Sequence, residues 1–160
     1  MSQTSSPLPV LLVEDNEIDI EITERIFARS GAAVRLRVAR DGDEALEVLL
    51  TGRATNASAT EELPRLVLLD LRLPRVEGTE VLKKIKEDPD ISAIPVAILS
   101  GASGERPLLE CMALGANMYY VKPISPSDAS QLVSAVEKYW GIITRLRDAK
   151  APREGGQERS

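Results

Sequence analysis

The sequence predicts an α/β fold in which a parallel sheet of five strands is covered by helices on both faces. Short apolar runs alternate along the chain with longer stretches of helical periodicity. The apolar runs are continuous rather than alternating, which is typical of strands buried on both sides. Each run is followed by one helical stretch, so the chain reads as five consecutive βα units.

The predicted strands lie near residues 9–14, 34–39, 66–70, 95–100 and 118–121. The predicted helices lie near residues 16–30, 43–53, 78–88, 105–115 and 126–146. Glycine, proline and capping residues mark their ends. Gly31 can close the first helix, Pro89 ends the third at Asp88, and Ser125 followed by Pro126 opens the last.

The chain is expected to form one domain over residues 9–148, including an extended last helix. Residues 54–63 are polar and small, which predicts a surface loop between the second helix and the third strand. Residues 1–8 and 149–160 are expected to be flexible termini. We expect no output domain that would bind DNA or carry an enzyme, because the remaining segments of the sequence are short.

Composition excludes several classes of function. The chain has 160 residues, a formal net charge of −5, one cysteine (Cys111) and no histidine. The negative charge argues against nucleic acid as a partner. The missing histidine excludes a Ser-His-Asp hydrolase and a histidine-ligated metal centre. There is no apolar run of the ~20 residues that span a membrane and no signal-peptide pattern, so we expect a cytoplasmic protein that does not bind membranes.

Acidic residues close two of the predicted strands. The run Val10–Val13 is followed by Glu14 and Asp15, and the run Leu66–Leu69 by Asp70. If the first and third strands are neighbours, the three carboxylates converge on one crevice at the carboxyl ends of the strands. Carboxylates that lie so close repel one another and resist ionisation without a counter-charge. A hard divalent cation such as Mg²⁺ would supply that charge.

Polar groups also close the two remaining strands that reach this edge. The fourth strand ends at Ser100, which offers a hydroxyl, and the fifth is followed by Lys122, which offers an ammonium. A cation, a lysine and a hydroxyl around one carboxylate form a site for a tetrahedral anion. With Asp70 as nucleophile, the chemistry is aspartyl-phosphate formation by positioning and charge stabilisation.

These residues stand in four motifs, which are VEDN, LLDLRLP followed by Gly78, ILSG and YYVKP. The set resembles the receiver domain of two-component response regulators, in order and over roughly residues 9–140. The resemblance implies the CheY-like, flavodoxin-like topology, with the strand order 2-1-3-4-5. It also implies a phosphorylation-controlled switch that catalyses only its own phosphorylation and slow autodephosphorylation, and therefore no turnover of an external substrate.

The resemblance further implies a role for each matching residue. It makes Asp70 the phosphoacceptor. The residues that it assigns to Mg²⁺ are Glu14, Asp15, Asp70 and, through its backbone carbonyl, Arg72.

The resemblance also implies which residues bind the phosphoryl group and which residues change position on phosphorylation. Ser100 and Lys122 contact the phosphoryl oxygens, and Lys122–Pro123 contains a cis peptide bond. Tyr119 moves inward when Ser100 is drawn towards the phosphate. The neighbouring Tyr120 faces the other side of the sheet.

The end of the last helix is a candidate interface. Tyr139, Trp140 and Ile143 form an apolar, aromatic segment that the domain itself need not cover. Alternatively, Trp140 folds back onto the domain. The sequence also resembles the single-domain regulators that accompany bacterial phytochromes. That resemblance implies a sensor histidine kinase as partner, with a bacteriophytochrome as the candidate within that class, and a homodimer through the fourth helix, fifth strand and fifth helix.

Three alternative functions follow from the same residues. The chain could be a phosphorelay intermediate that passes its phosphoryl group to a histidine phosphotransfer protein. It could be a receiver-like adaptor that acts without phosphorylation. A phosphatase of the haloacid-dehalogenase type would need an acid two residues after Asp70, where this chain has Arg72.

Overall fold

A computed structural model of the chain describes residues 6–55, 63–101 and 105–150. The strands are β1 (Leu8–Val13), β2 (Val34–Ala39), β3 (Leu66–Asp70), β4 (Val96–Ser100) and β5 (Met118–Val121). The helices are α1 (Glu17–Ser30), α2 (Gly42–Thr55), α3 (Gly78–Glu87), α4 (Glu105–Ala113) and α5 (Pro126–Lys150). The ten predicted elements are therefore confirmed in type and order.

Three predicted boundaries of loops and termini need correction. The loop predicted at 54–63 begins later, because α2 runs to Thr55, and residues 56–62 of that loop lie outside the described part of the chain. The tail predicted from residue 149 also begins later, because α5 continues to Lys150. Arg145 and Arg147 lie near that end, where cationic side chains interact favourably with the helix dipole. The N-terminal segment predicted to be flexible over residues 1–8 ends earlier, because Leu8 is buried as the first residue of β1. Residues 1–5 and 151–160 of the two predicted termini lie outside the described residues.

The five strands form one parallel sheet with the order β2-β1-β3-β4-β5, as predicted. In register, Val13 of β1 pairs with Leu69 of β3, Asp70 with Leu99 of β4, and Ser100 with Val121 of β5. The carboxyl ends of β1, β3, β4 and β5 consequently lie side by side. Parallel strands impose this arrangement, because each crossover helix returns the chain to the opposite edge of the sheet.

Apolar side chains form a core on each face of the sheet. The cluster under α2, α3 and α4 includes Leu49, Ile85 and Cys111, and the cluster under α1 and α5 includes Phe27 and Leu132. All residues of β3 and β4 are buried, which explains their continuous apolar sequence. Among the described helices, none has the length and apolar character that crossing a bilayer requires.

Side-chain and backbone caps close the helices where the sequence places them. The Asn16 side chain accepts a hydrogen bond of 3.0 Å from the Asp19 backbone nitrogen at the start of α1, and Gly31 ends α1 with φ of 81°. The Ser125 hydroxyl accepts a 3.0 Å bond from the backbone nitrogen of Asp128. These contacts satisfy orphan groups of the first and last turns.

Two aromatic side chains hold the second half of α5 against the domain. The Trp140 indole donates a 2.8 Å hydrogen bond to the carbonyl oxygen of Arg65, and its ring lies 5.3 Å from the Arg65 guanidinium carbon. The Tyr139 hydroxyl donates a 2.6 Å bond to the carbonyl oxygen of Ala93. Trp140 therefore folds back onto the domain. An interface role for Tyr139, Trp140 and the partly exposed Ile143 stays a prediction.

Gly78 is required by a close approach of two backbone segments. A Cβ atom at this position would lie 2.4 Å from the carbonyl oxygen of Asp70 and 2.6 Å from the Cα of Leu71. We expect Gly78→Ala to lower the free energy of unfolding by about 1–3 kcal/mol, because neither backbone atom can move aside without displacing the end of β3. Chemical denaturation measures this difference.

Gly101→Ala is the matched control, because a Cβ at Gly101 would meet no atom within 4 Å. Its free energy of unfolding should stay within about 0.5 kcal/mol of the wild type. Equal effects of the two substitutions would contradict the proposed clash at Gly78.

Candidate functional site

Three carboxylates meet at the carboxyl edge of the sheet. Glu14 and Asp15 directly follow β1, and Asp70 is the last residue of the adjacent strand β3. One carboxylate oxygen from each lies within 4.8 Å of the other two. Oxygen atoms at this spacing can share one hard divalent cation. The structure thus brings the three predicted acidic ligands together.

The three acids differ in their exposure to solvent. Glu14 is 2% exposed and Asp70 is 5% exposed, whereas Asp15 is exposed. The first two carboxylates are therefore fixed by the surrounding protein, and the third forms the rim of the site. A cation at this cluster would reach water on the Asp15 side, which suits an ion that retains part of its hydration shell.

Lys122 provides the positive charge of the site. Its ammonium donates to Glu14 Oε1 at 3.0 Å and to Asp19 Oδ2 at 2.8 Å. Asp70 Oδ1 lies 3.6 Å away, which is an ion pair beyond hydrogen-bond distance. The ammonium thus belongs to the same cluster as the acids, as the sequence predicted.

Asp19 is a member of this cluster that the sequence analysis missed. Asp19 lies in the first turn of α1, and α1 begins at the edge of the sheet where the three acids meet. An acid in the first turn of the helix that follows an acid-ended strand was the available signal. Its side chain accepts a hydrogen bond from Lys122 across the crevice, in addition to its favourable interaction with the dipole of α1.

Burial and charge shift the pKa values of two groups in the cluster. Burial raises the pKa of Glu14 to about 7, with a further increase from the charge of Asp70, although the hydrogen bond from Lys122 works in the opposite direction. Burial alone would lower the pKa of Lys122, but the carboxylates of Asp19, Glu14 and Asp70 outweigh it and raise that pKa to about 12. At neutral pH the lysine is charged.

The remaining predicted site residues surround Asp70. Ser100 is 3% exposed at the end of β4, and its carbonyl oxygen accepts a 2.8 Å hydrogen bond from the Lys122 backbone nitrogen. The Arg72 backbone nitrogen lies 3.3 Å from Asp70 Oδ1, and the Arg72 side chain is exposed. The Arg72 peptide is thus next to the carboxylate, and its carbonyl as a metal ligand stays a prediction.

The fifth strand places its two tyrosines on opposite faces of the sheet. Tyr119 packs against the core under α2, α3 and α4, and Tyr120 against the core under α1 and α5. The Lys122–Pro123 peptide bond is cis, as predicted. Tyr119 is therefore on the α4 side of the sheet, and its role as a switch residue stays a prediction.

The family model described as the response regulator receiver domain matches residues 10–137 of this chain. The chain belongs to this family. Its matched segment contains all the strands except the first two residues of β1, and all the site residues described above. The receiver fold therefore accounts for the convergence of acids, hydroxyl and lysine at one edge of the sheet.

Three relatives place this receiver domain among regulators of similar length. It is 38% identical over 138 residues to the probable methanogenesis regulatory protein FilR2 of Methanothrix harundinacea, covering 86% of each chain. It is similar to the phosphorylated cyanobacterial phytochrome response regulator RcpA, with a TM-score of 0.66 and 37% identity, covering 84% of this chain and 94% of the other. It also resembles the Mn²⁺-bound form of response regulator Rcp1, from Synechocystis, with a TM-score of 0.64, 33% identity and the same two coverages.

Proposed function

We propose that this receiver domain accepts one phosphoryl group on Asp70 with the help of Mg²⁺. The observation that carries the proposal is the position of the Asp70 carboxylate, which lies between two acids able to hold a cation and the ammonium of Lys122. The phosphorylated form of RcpA and the Mn²⁺-bound form of Rcp1 support it, because both are similar to this chain over most of its length. Asp70 is the only acid of the cluster that ends a strand buried along its whole length.

Each residue of the site would have one task in the transfer. A carboxylate oxygen of Asp70 attacks the phosphorus, and the bond from phosphorus to the donor breaks, with its electron pair leaving on the donor. Glu14, Asp15 and the Arg72 carbonyl would hold Mg²⁺, which neutralises charge on the phosphoryl oxygens. Lys122 and the Ser100 hydroxyl would bind the same oxygens, so that Ser100 and the nearby Tyr119 respond to phosphorylation.

The test is intact-mass spectrometry after incubation with acetyl phosphate, with and without Mg²⁺. We expect a single phosphoryl adduct that forms only when the divalent cation is present. A chelator added before the donor serves as the control. An adduct that forms equally well without the metal would contradict the assigned task of Glu14 and Asp15, and no adduct in any condition would leave the adaptor function as the better account.

A sensor histidine kinase is the proposed donor of the phosphoryl group in the cell. The similarity to RcpA, a phytochrome response regulator, supports a light-sensing kinase within that class. The domain would then signal by a change of its own surface, without turnover of an external substrate.

Exposed apolar side chains on α4 and β5 support a homodimer through α4, β5 and α5. Leu109 is 59% exposed, Met112 is 45% exposed and Val121 is 49% exposed. Leu109 and Met112 stand three positions apart on α4 and therefore lie on one face of it. Exposed apolar patches mark interaction sites more often than isolated apolar residues do. Because Trp140 and Tyr139 already bond within the domain, these three residues carry the proposal more directly than the aromatic pair does.

We expect Leu109→Glu to weaken dimerisation by more than roughly 30-fold, since a charge would be buried in the interface. Sedimentation velocity over a range of protein concentrations measures the effect. Ile18→Glu is the matched control, because Ile18 is 67% exposed on α1 and lies outside the proposed interface. Equal dimer fractions in the two variants would contradict this surface.

A further inference from the structure

The Lys122 ammonium is shared between a buried and a solvated carboxylate. Glu14 is 2% exposed, whereas the Asp19 side chain is 34% exposed at the rim of the crevice. The two hydrogen bonds are of similar length, at 3.0 Å and 2.8 Å. Asp19 lies outside the set of residues that we assign to the metal or to the phosphoryl group.

The ammonium is not hydrogen-bonded to Asp70 in this state, because its nitrogen lies 3.6 Å from Asp70 Oδ1. A phosphoryl group on Asp70 would place new anionic oxygens beside it. Glu14 and Asp19 engage two of the three N–H groups of the ammonium, so the third can donate to one of these oxygens. A second bond to the phosphoryl group requires one of the two present bonds to be given up.

Asp19 is the partner that can be given up at the lower cost. In the metal-free site, Glu14 without its ammonium would be a buried carboxylate with no counter-charge, which is strongly unfavourable. In the metal-loaded site the cation would hold Glu14, which leaves Asp19 as the remaining partner of the ammonium. Asp19 without the ammonium would be solvated by water, because a third of its side chain is already exposed. The two carboxylates therefore differ in how readily they release the lysine.

We propose that Asp19 is a positioning residue that competes with the phosphoryl group for the Lys122 ammonium. In the unphosphorylated protein, Asp19 holds the Lys122 ammonium and balances its charge. On phosphorylation, Asp19 releases the ammonium. Asp19 thereby slows phosphorylation and disfavours the phosphorylated state. This inference rests on the proposed phosphorylation of Asp70.

The test compares Asp19→Asn with Glu17→Gln by the rate of adduct formation from acetyl phosphate and Mg²⁺. Both variants remove one negative charge from the first turn of α1, but Glu17 pairs with Arg40 and not with Lys122. The N-terminal cap of α1 is unaffected by Asp19→Asn, because it uses the Asp19 backbone nitrogen. We expect a rate increase of roughly three- to tenfold for Asp19→Asn and a change of less than about 1.5-fold for Glu17→Gln.

A second pair of variants separates competition for the lysine from a merely structural effect. In a Lys122→Ala background, Asp19→Asn should no longer change the rate, since its effect acts through the ammonium. The same ratio with and without Lys122, a slower rate for Asp19→Asn, or equal rates for Asp19→Asn and Glu17→Gln would each overturn the inference. The comparison with Glu17→Gln decides the question even if Lys122→Ala accepts no phosphoryl group.

The same measurements separate the two proposals. If the wild type forms the metal-dependent adduct while Asp19→Asn and Glu17→Gln behave alike, only the role of Asp19 fails. If the wild type forms no adduct, the proposed function and the role of Asp19 fail together.

Discussion

Replacing Asp70 with asparagine is expected to abolish phosphoryl uptake and to leave the fold intact. The amide has the shape of the carboxylate but cannot act as the nucleophile, so no acyl phosphate forms. The Arg72 backbone nitrogen lies 3.3 Å from Asp70 Oδ1, and the amide oxygen can keep that contact. Intact-mass spectrometry with acetyl phosphate and Mg²⁺ should show the adduct in the wild type and no adduct in the variant.

Asp148→Asn is the matched control, because Asp148 is exposed near the end of α5, far along the chain from the site. It should form the same adduct as the wild type. Circular dichroism of both variants checks that the fold persists. An adduct that survives Asp70→Asn would mean that another side chain accepts the phosphoryl group.

The affinity of the site for Mg²⁺ is expected to depend strongly on pH. Burial, aided by the charge of Asp70, raises the pKa of Glu14 from 4.5 to about 7. A divalent cation binds the carboxylate and not the acid, so a proton must leave Glu14 before the cation can use it. Below pH 7 the affinity for Mg²⁺ should therefore fall by up to about tenfold per pH unit, and above pH 8 it should become constant.

The raised pKa of Glu14 also makes the stability of the metal-free protein depend on pH. Because the folded protein holds the Glu14 proton more tightly than the unfolded chain, the cost of ionising Glu14 is absent below pH 4.5, grows as the pH rises and is complete above about 7. A bound cation offsets this cost. Added Mg²⁺ should accordingly raise the thermal midpoint more at pH 7.5 than at pH 5.5.

Isothermal titration calorimetry with Mg²⁺ at three values of pH between 5.5 and 7.5 measures the dependence. Glu14→Gln should remove most of the slope, whereas Glu17→Gln, which changes an exposed acid of the same segment, should retain it. An affinity that is flat with pH in the wild type would contradict the role of Glu14 as a ligand.

Much of the site could be predicted because its residues stand at strand ends. Val13 and Leu69 pair in the sheet, so the acids that follow them must come close together. The same argument applies to Ser100 and Lys122, and the fixed spacing of parallel strands makes it independent of side-chain detail. The cap at Ser125 was equally local, and a local sequence pattern predicted it.

Other features depended on how helices pack, which no local pattern contains. The pairing of Asp19 with Lys122 joins residues 103 positions apart and requires the position of α1 over the sheet. Trp140 bonds to Arg65, 75 positions away, and its apolar ring alone was consistent with an interface or with a contact inside the domain.

The bond between Trp140 and Arg65 has a spectroscopic consequence. Trp140 is the single tryptophan of the chain, and Arg65 directly precedes β3, whose other end is Asp70. The indole is therefore at the opposite rim of the sheet from the acids, separated by the ~16 Å that five strand residues span. A metal ion or phosphoryl group at Asp70 cannot quench its emission by contact. A fluorescence change on phosphorylation would instead report an indirect effect on the far side of the molecule, through a displacement of β3 or α5 or through assembly at α5.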